Sequence, residues 1–232
     1  MTAVAAQTDP YRFAHRLLAS VTSSSGRVHA HTALQDFKVV RGGVRAQTDD
    51  GMVIHCKHLI FAAGYECASW LEQRLARNRS SYAVVSEPLP AGLGVLSGTL
   101  LWESSRPYLY MRSTSDGRLV VGGEDDSIDI PIRRDARIEK QATKLVARVS
   151  AMFPELTLNV AFAWAGTFSE TDDGLPFFGE HEQYGPRVLF AMAYGGNGIT
   201  YSQIGAEILR DALQGGRHPC AALFSFDRLK RL

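Results

Sequence analysis

The sequence lacks several features that would assign a function class at once. It has no apolar run long enough to span a bilayer, no C-x-x-C spacing among its three cysteines, and no internal repeat or low-complexity tract. Its formal net charge is only +1, so no global field attracts nucleic acid or a membrane surface. These absences argue against nucleic-acid binders, membrane-spanning proteins and disulfide frameworks. They predict a cytoplasmic globular protein with reduced thiols.

The sequence also lacks a G-x-G-x-x-G turn between an early strand and a helix, the usual pyrophosphate-binding motif of dinucleotide-binding folds. A different glycine-rich turn, over residues 193–200, leads from an apolar strand pattern into an amphipathic helix pattern. Such a turn presents free backbone N–H groups and a positive helix end to an anion or a polarised carbonyl. On spacing alone, Asn197-Gly198 also fits a hairpin turn.

The first part of the chain has the alternating pattern of an α/β domain. Asp9-Pro10 predicts a helix start, and the apolar residues from Phe13 to Val21 predict one buried helical stripe. The run 58–63 is apolar on both faces, which predicts a buried parallel strand ending at Gly64. The other elements predicted here are a strand over 28–32, a hairpin over 37–40 and 44–47, a strand over 52–55 and a helix around 67–77.

The middle of the chain is richer in β-forming residues, and the last part returns to the earlier pattern. Strands are predicted over 81–87, 108–112 and 119–123, followed by a helix over 135–152 capped by Asp135. The alternation of Val160, Phe162 and Trp164 predicts another strand. A last buried strand over 188–192 and a final helix over about 201–213 complete the prediction.

Five stretches carry a resemblance to a known family. They are Asp9-Pro10-Tyr11, residues 61–65, Tyr110-Met111-Arg112 with 116–123, Trp164-Ala165-Gly166 with 171–179, and 194–200. In this order and spacing they resemble the flavin-dependent amino-acid oxidases, the group of D-amino acid oxidase, glycine oxidase and sarcosine oxidase. The resemblance covers only the later part of such a protein, because the family normally opens with the strand, G-x-G-x-x-G turn and helix that hold the FAD pyrophosphate.

The resemblance implies an α/β fold with a partial, Rossmann-like FAD-binding domain, made of residues 1–66 and 185–232, and an antiparallel β-rich substrate domain, 67–184. It implies FAD as the cofactor and oxidation of a C–N bond in a small amine or amino acid by hydride transfer to flavin. Sarcosine oxidase-like chains attach flavin through a cysteine near the position of Gly166. Because this chain lacks that cysteine, the flavin is expected to be bound non-covalently.

Two alternatives remain open. The chain could be a truncated, non-catalytic remnant or interaction module that needs a partner chain to complete the FAD site. A nicotinamide-dependent dehydrogenase ranks last, because no glycine fingerprint with a downstream acidic residue is found. No nucleic acid or membrane is expected as a partner.

The substrate site implied by the resemblance centres on Arg112, because an arginine on this strand pairs with the substrate carboxylate. Strand alternation places Tyr110 and Tyr108 on the same face as Arg112. From position alone, an exposed strand arginine is the favoured interpretation of Arg112. No general acid or base is expected, because the cofactor carries the redox chemistry.

The flavin cradle implied by the resemblance lies in the glycine-rich turn and at the end of strand 58–63. Gly195, Gly196 and Gly198 are expected to take positive φ. Leu34 is a candidate contact on the adenine side of FAD. The alternative is that Leu34 packs in the core. The predicted cofactor-binding residues are Leu34, Ala63, Gly64, Gly195, Gly196, Asn197, Gly198, Ile199 and Thr200.

No metal site is predicted, because the histidine pairs 29/31 and 55/58 have no acidic or cysteine partner nearby. The sequence departs from the family at two places that bear on the substrate. Phe168-Ser169 stands where many members have Arg-Pro, and Gly196 stands where glycine oxidase-like chains have an arginine. These departures leave the substrate open.

Overall fold

The computed structural model describes residues 6–89, 93–104 and 108–231. The chain divides into two compact units, one comprising residues up to Gln73 and from Gly174 onward, the other Arg74–Asp173. Residues 67–73 and 174–184, which the prediction assigned to the substrate domain, therefore belong to the first unit. The reason is long-range pairing between the two segments, since the Tyr184 hydroxyl donates to the Trp70 carbonyl over 2.5 Å.

The elements follow one another along the chain with short 3₁₀ helices at Gly64–Trp70, Gly94–Leu96, Gly195–Asn197 and Phe226–Arg231. In chain order they are α1 (Pro10–Ser23), β1 (Leu34–Val40), β2 (Gly43–Thr48), β3 (Val53–Cys56), β4 (Leu59–Phe61), β5 (Arg77–Ser86), β6 (Leu100–Trp102), β7 (Leu109–Ser113), β8 (Leu119–Asp126), α2 (Pro131–Asp135), α3 (Ile138–Met152), β9 (Val160–Glu170), β10 (Phe177–Glu180), β11 (Val188–Met192), α4 (Gly198–Leu213) and α5 (Ala221–Phe224).

The first unit contains two small sheets. The predicted hairpin is confirmed, and β1, β2 and β3 form an antiparallel meander. The second sheet has the order β10-β11-β4, with β11 antiparallel to β10 and parallel to β4. The predicted parallel strand is thus confirmed. Its predicted burial on both faces is wrong at Ile60, which is 41% exposed.

An aromatic cluster and one arginine hold this second sheet in place. The rings of Phe61 and Phe190 stack across the parallel pair, with centroids 5.0 Å apart. At the C-terminal end of the unit, the Arg228 guanidinium lies 3.7 Å from the centroid of the Phe177 ring. It also donates hydrogen bonds to the carbonyls of Leu175 (2.6 Å) and Pro176 (2.9 Å), so it ties the last turn of the chain to the start of β10.

Helix α1 begins as predicted but does not pack as predicted. The Asp9 carboxylate accepts a hydrogen bond from the backbone N–H of Arg12 over 3.0 Å, which is the expected cap. The predicted buried stripe is wrong, because α1 buries no residue and Phe13, Leu17, Leu18 and Val21 are 44–53% exposed. The predicted strand over 28–32 does not form, since a strand needs a hydrogen-bonded neighbour and these residues are exposed.

The second unit is one antiparallel sheet, ordered β6-β7-β8-β5-β9, with α3 packed on one face. Leu109, Met111 and Val121 of the sheet and Leu145 and Val149 of α3 are fully buried between the two layers. The buried layer fixes which side chains of each strand face α3. The alternate residues therefore form the other face of the sheet.

Two helix predictions in this region need correction. The predicted helix around 67–77 is instead the 3₁₀ helix Gly64–Trp70, and β5 already begins at Arg77. The long helix begins at Ile138 rather than near 135, and Asp135 does not cap it. Its carboxylate pairs with Arg134 over 2.7 Å, at the end of the short helix α2.

The three cysteines are all free thiols. Among the described residues, no group of three or more histidine, cysteine or acidic side chains is placed to bind a metal ion. No helix in the described part of the chain has the length and apolar character needed to cross a membrane.

Candidate active site

The carboxyl ends of β4 and β11 meet at one edge of the sheet in the first unit, because the two strands are parallel. Residues 62–66 after β4 are all exposed, and residues 194–200 after β11 are exposed or half-buried. The structure therefore brings the predicted residues Ala63 and Gly64 to the same edge as the predicted run 195–200. This is the edge at which open α/β sheets bind ligands.

The thiol of Cys67 contacts the backbone of both the loop after β4 and the end of β11. The backbone N–H of Ala63 donates to its sulfur over 3.2 Å, and the sulfur lies 3.9 Å from the Ala191 carbonyl oxygen. Burial raises the pKa of Cys67, so the thiol stays neutral at physiological pH. The sequence predicts Cys67 only as a structural thiol, and no pattern in it points to this bridge.

The backbone of the turn differs from the prediction. Gly195 has φ +57°, as expected, but Gly198 has φ −54°, and Gly196 is not among the residues with positive φ. Ala193, with φ +61°, takes the second left-handed position. The hairpin alternative for Asn197-Gly198 is wrong, because 195–197 form a 3₁₀ turn and α4 starts directly at Gly198.

The start of α4 is open to a ligand. No side chain caps this helix, so the N–H groups of its first turn are without a side-chain acceptor. Ile199 and Thr200 are exposed, and across the edge Gly64, with φ +58°, has open space where a Cβ would lie. These features fit the polarised carbonyl end of a flavin, which needs backbone donors and close approach rather than charged side chains.

Tyr194, at the start of the turn, is a neutral hydrogen-bonding group. Burial, with a smaller effect from Cys67, raises its pKa to about 12, and a hydrogen bond with Ser202 acts in the opposite direction. Its phenol is therefore protonated under physiological conditions. With Cys67 also neutral, neither of these two groups offsets the positive end of α4.

Leu34 is not part of this edge. It is the first residue of β1, in the meander, and is half-buried. The meander is a separate sheet from the one that carries the two loops. Its proposed role on the adenine side remains a prediction, with core packing as the alternative.

Arg112 and Tyr110 project from β7 on the sheet face opposite α3. They alternate with the buried residues Leu109, Met111 and Ser113, and both are half-buried. The predicted sharing of one face is confirmed. Arg112 Nη1 lies 3.4 Å from the Ser113 carbonyl, and in the described part of the chain no carboxylate lies within ion-pair distance of it. Arg118, by contrast, pairs with Asp116 and Glu87.

The ring of Tyr110 lies flat across Gly122, its cross-strand partner on β8. A Cβ at Gly122 would lie 2.2 Å from Tyr110 Cζ, so only glycine leaves room for the ring. Burial raises the pKa of Tyr110; the Ser81 hydroxyl lowers it and the Asp125 carboxylate raises it. Sequence reasoning missed these three neighbours, because it predicted the strands over 108–112 and 119–123 without a register between them.

Several aromatic side chains lie on the same face of the sheet as Arg112. Trp102 pairs with Tyr110 across the sheet, and Trp164 lies in the same row on β9. Phe162, in the row of Arg112, is 67% exposed. A guanidinium without a carboxylate partner, on a sheet face that also carries exposed aromatic rings, can bind an organic carboxylate whose remainder is apolar or aromatic.

Known proteins share the sequence pattern and the fold of this chain. A profile of the FAD dependent oxidoreductase family matches residues 2–212 of the chain. The chain belongs to this family. Its α/β fold, with a Rossmann-like part and an antiparallel part, is confirmed by the match to solved structures of a glycine oxidase and an L-proline dehydrogenase.

Individual relatives are distant. Glycine oxidase of Bacillus licheniformis is 26% identical over 190 residues, 81% of this chain and 49% of that protein. One of the subunits of an opine oxidase from Rhizobium meliloti is 26% identical over 170 residues, 72% of this chain and 42% of that protein. Glycine oxidase of Geobacillus kaustophilus superimposes with a TM-score of 0.74 at 19% identity, covering 93% of this chain and 57% of that one. The chain thus spans about half the length of the curated relatives it matches.

Proposed function

We propose that this chain forms part of a flavoenzyme that oxidises a C–N bond of a small amine or amino acid. The observation that carries the proposal is the meeting of 62–66 and 194–200 at the carboxyl ends of a parallel strand pair, in a member of a FAD-dependent family. FAD, when bound, supplies the hydride acceptor. We expect it to be held without a covalent bond.

In this proposal the chain's own residues bind the cofactor and orient the substrate. The uncapped first turn of α4, with Gly195 to Thr200, holds the polarised end of the cofactor, and Ala63 and Gly64 lie beside its dinucleotide part. Arg112 binds the substrate carboxylate through a bidentate pair. Tyr110, neutral and held over Gly122, supports the bound substrate on the same face. No residue is assigned as a general acid or base.

The first experiment measures FAD retention. The purified chain is mixed with FAD and passed through gel filtration, and the proposal expects the visible flavin absorption to co-elute with protein. The cradle variant Thr200→Glu places a negative charge in the first turn of α4, and it is expected to weaken retention. Absence of flavin at high micromolar FAD would contradict binding by this chain alone.

The second experiment follows substrate binding through Arg112. Replacing Arg112 by Gln is expected to weaken binding of an amino acid or its carboxylate analogue by about 10- to 100-fold, the value of a charge-assisted hydrogen bond. Arg77→Gln serves as the matched control, because Arg77 lies in the same sheet and pairs with exposed Asp172. Equal effects of the two variants would remove Arg112 from the site.

A second candidate function is a non-catalytic or partner-dependent module that needs another chain to complete the FAD site. The observation in its favour is the coverage, since the chain matches only 49% and 42% of the length of these two relatives. The opine oxidase relative is itself named as one subunit of a larger enzyme. Failure to retain FAD alone, with retention once a second polypeptide is present, would favour this candidate.

The free cysteines are the support for a cytoplasmic location.

A further inference from the structure

The strand register places a large apolar ring near Arg112. On β6, Leu101 packs against the core formed by the sheet and α3, so Leu100 and Trp102 lie on the opposite face, which also carries Arg112. Leu100 is the cross-strand partner of Arg112, and Trp102 is the partner of Tyr110. Trp102 is therefore a diagonal neighbour of Arg112. Such neighbours lie about 7 to 8 Å apart, within reach of aromatic and long side chains.

This corner of the sheet is open to a ligand. Trp102 is 55% exposed and Leu100 is 39% exposed, while Arg112 is half-buried. Scattered exposed apolar residues are ordinary on protein surfaces. Here, however, an indole ring and a leucine lie beside a guanidinium that has no carboxylate partner in the described ranges. The combination suits a ligand that carries both an acid group and an apolar group.

The sheet surface next to Arg112 is aliphatic. Val120 is the cross-strand partner of Arg112 on β8, and it pairs in turn with Val85 of β5. Both valines are half-buried. From β6 to β5, the row of Arg112 contains no acidic or amide side chain. A ligand held by the guanidinium therefore meets apolar surface, which disfavours a second charged group on the ligand at this position.

Tyr110 limits where the apolar part of such a ligand can lie. Its ring occupies the space over Gly122, on the side of β8. Trp102 lies on the other side of Tyr110, on β6, which is the last strand at that end of the described sheet. The space beside Trp102 is therefore the open one. A ligand whose carboxylate pairs with Arg112 can place its apolar group there.

We propose that the substrate is an α-amino acid with an aromatic side chain, and that Trp102 selects it by packing against that ring while Arg112 binds the carboxylate. The inference rests on the proposed function, because it names the substrate class of the same site. Aromatic pairs gain more than the apolar area they bury. Glycine would leave the Trp102 indole exposed to water and would bind through its carboxylate alone.

The test compares 3-phenylpropionate, which is phenylalanine without its amino group, with propionate, which also lacks the ring. Ligand-detected NMR titration of the full chain gives the two affinities. We expect the parent chain to bind 3-phenylpropionate at least about tenfold more tightly than propionate. In Trp102→Ala this ratio should fall to within about threefold, while the affinity for propionate is unchanged. Arg112→Gln should weaken 3-phenylpropionate about 10- to 100-fold.

Trp164→Ala is the matched control. Trp164 is also an exposed tryptophan of this sheet, at 46%, but β8 and β5 separate its strand from β7. Its removal should leave the ratio at the parent value. Trp102→Phe keeps an aromatic ring and should retain most of the preference. Because Trp102 and Trp164 are exposed, the unfolding temperatures of these variants should match that of the parent chain.

Tryptophan fluorescence gives a readout that does not depend on affinity. A phenyl ring that covers Trp102 excludes water from the indole, so 3-phenylpropionate should shift the emission to shorter wavelength in the parent chain and in Trp164→Ala. Trp102→Phe should bind the ligand without this shift.

Three results would overturn the proposal. They are an affinity ratio near one in the parent chain, a ratio that Trp102→Ala leaves unchanged, and an emission that 3-phenylpropionate does not shift in the parent. A parent chain that is dimeric in gel filtration and monomeric as Trp102→Ala would also overturn it, because a second copy would then cover this face.

Flavin retention separates failure of this inference from failure of the proposed function. A chain that prefers 3-phenylpropionate through Trp102 but retains no FAD keeps the ligand preference and contradicts a flavoenzyme formed by this chain alone. A chain that retains FAD but binds both ligands equally contradicts only the aromatic substrate class.

Discussion

Tyr110 and Arg112 lie two residues apart on β7 but are held in different ways. The Tyr110 ring is fixed by the absence of a side chain at Gly122, its partner across the strand pair. Arg112 has no carboxylate partner in the described ranges and is held by its strand position. A fixed ring beside an available guanidinium is the residue-level basis of the proposed substrate site.

Gly122→Ala is expected to destabilise the second unit by about 1 to 3 kcal/mol, because the new methyl group would overlap the Tyr110 ring. Gly166→Ala is the matched control. Gly166 lies on the same sheet, and a Cβ there meets nothing within 4 Å. Urea unfolding of both variants measures the difference. A Gly122→Ala variant as stable as Gly166→Ala would show that the ring moves aside without cost.

Sequence reasoning at this scale predicted part of the backbone geometry of the turn and the face of β7 that carries the two side chains. It placed Gly195, Arg112 and Tyr110 correctly on their turn and face. It expected positive φ at Gly196 and Gly198 and overlooked Ala193. The cause is the position at which α4 starts. Because the helix begins at Gly198, that residue takes a right-handed φ, and the left-handed residues, Ala193 and Gly195, come before it.

At the scale of elements, the sequence predicted those whose signals are local. The Asp9 cap, the hairpin turn of the meander and the buried strand β11 are all encoded within a few residues, and all form. The burial of α1 and the strand over 28–32 were predicted wrongly because they depend on a neighbour. Periodicity shows that a face is apolar but not what covers it.

Helix α4 packs on β10 through Gly205, where a Cβ would lie 2.3 Å from the Phe178 ring. Phe178 is itself enclosed by Tyr194 and Phe224, so its ring has little room to move. We expect Gly205→Ala to cost about 1 to 2 kcal/mol, since overpacking exceeds the gain in helix propensity.

Gly198→Ala in the same helix is the control for that experiment. Its φ is already helical and its nearest neighbour, Tyr194 Cβ, would lie 3.8 Å away. Its unfolding temperature should equal or slightly exceed that of the parent chain. Calorimetry that gave the two variants the same unfolding temperature would contradict the packing argument.

For the whole molecule, the sequence predicted the α/β class and a first unit made of two separate chain segments. The residues at which the units begin and end could be determined only from the structure. The chain crosses between the units at residues 73–74 and 173–174. Those positions are set by the pairing of β10 with β11 and by the contacts of Trp70, which join residues more than a hundred positions apart. Such long-range contacts leave no local sequence pattern.

The stability of the folded chain should fall as the pH drops below about 6.5, in part through His181. Burial lowers the pKa of this histidine, and its Nδ1 accepts a hydrogen bond from the Gln183 N–H over 3.2 Å. As the pH falls through 6.5, the unfolded chain gains a proton that the folded chain does not, so unfolding becomes more favourable. Above that pH both states are neutral at this residue and the contribution no longer varies with pH.

Replacing His181 by Asn, which keeps a hydrogen-bond acceptor but does not titrate, should flatten this part of the stability profile. Urea unfolding of the parent chain and of the variant between pH 5 and 8 measures the difference. Identical slopes for the parent and His181→Asn would contradict the assignment.

The interaction of Arg228 with the start of β10 has a practical consequence for handling this protein. Its guanidinium links the final turn of the chain to the Leu175 and Pro176 carbonyls. A proteolytic clip just before this residue would release three groups together: two carbonyls and the Phe177 ring. Intact mass at the C-terminus is therefore the first quality check for any preparation, ahead of spectroscopy or assay.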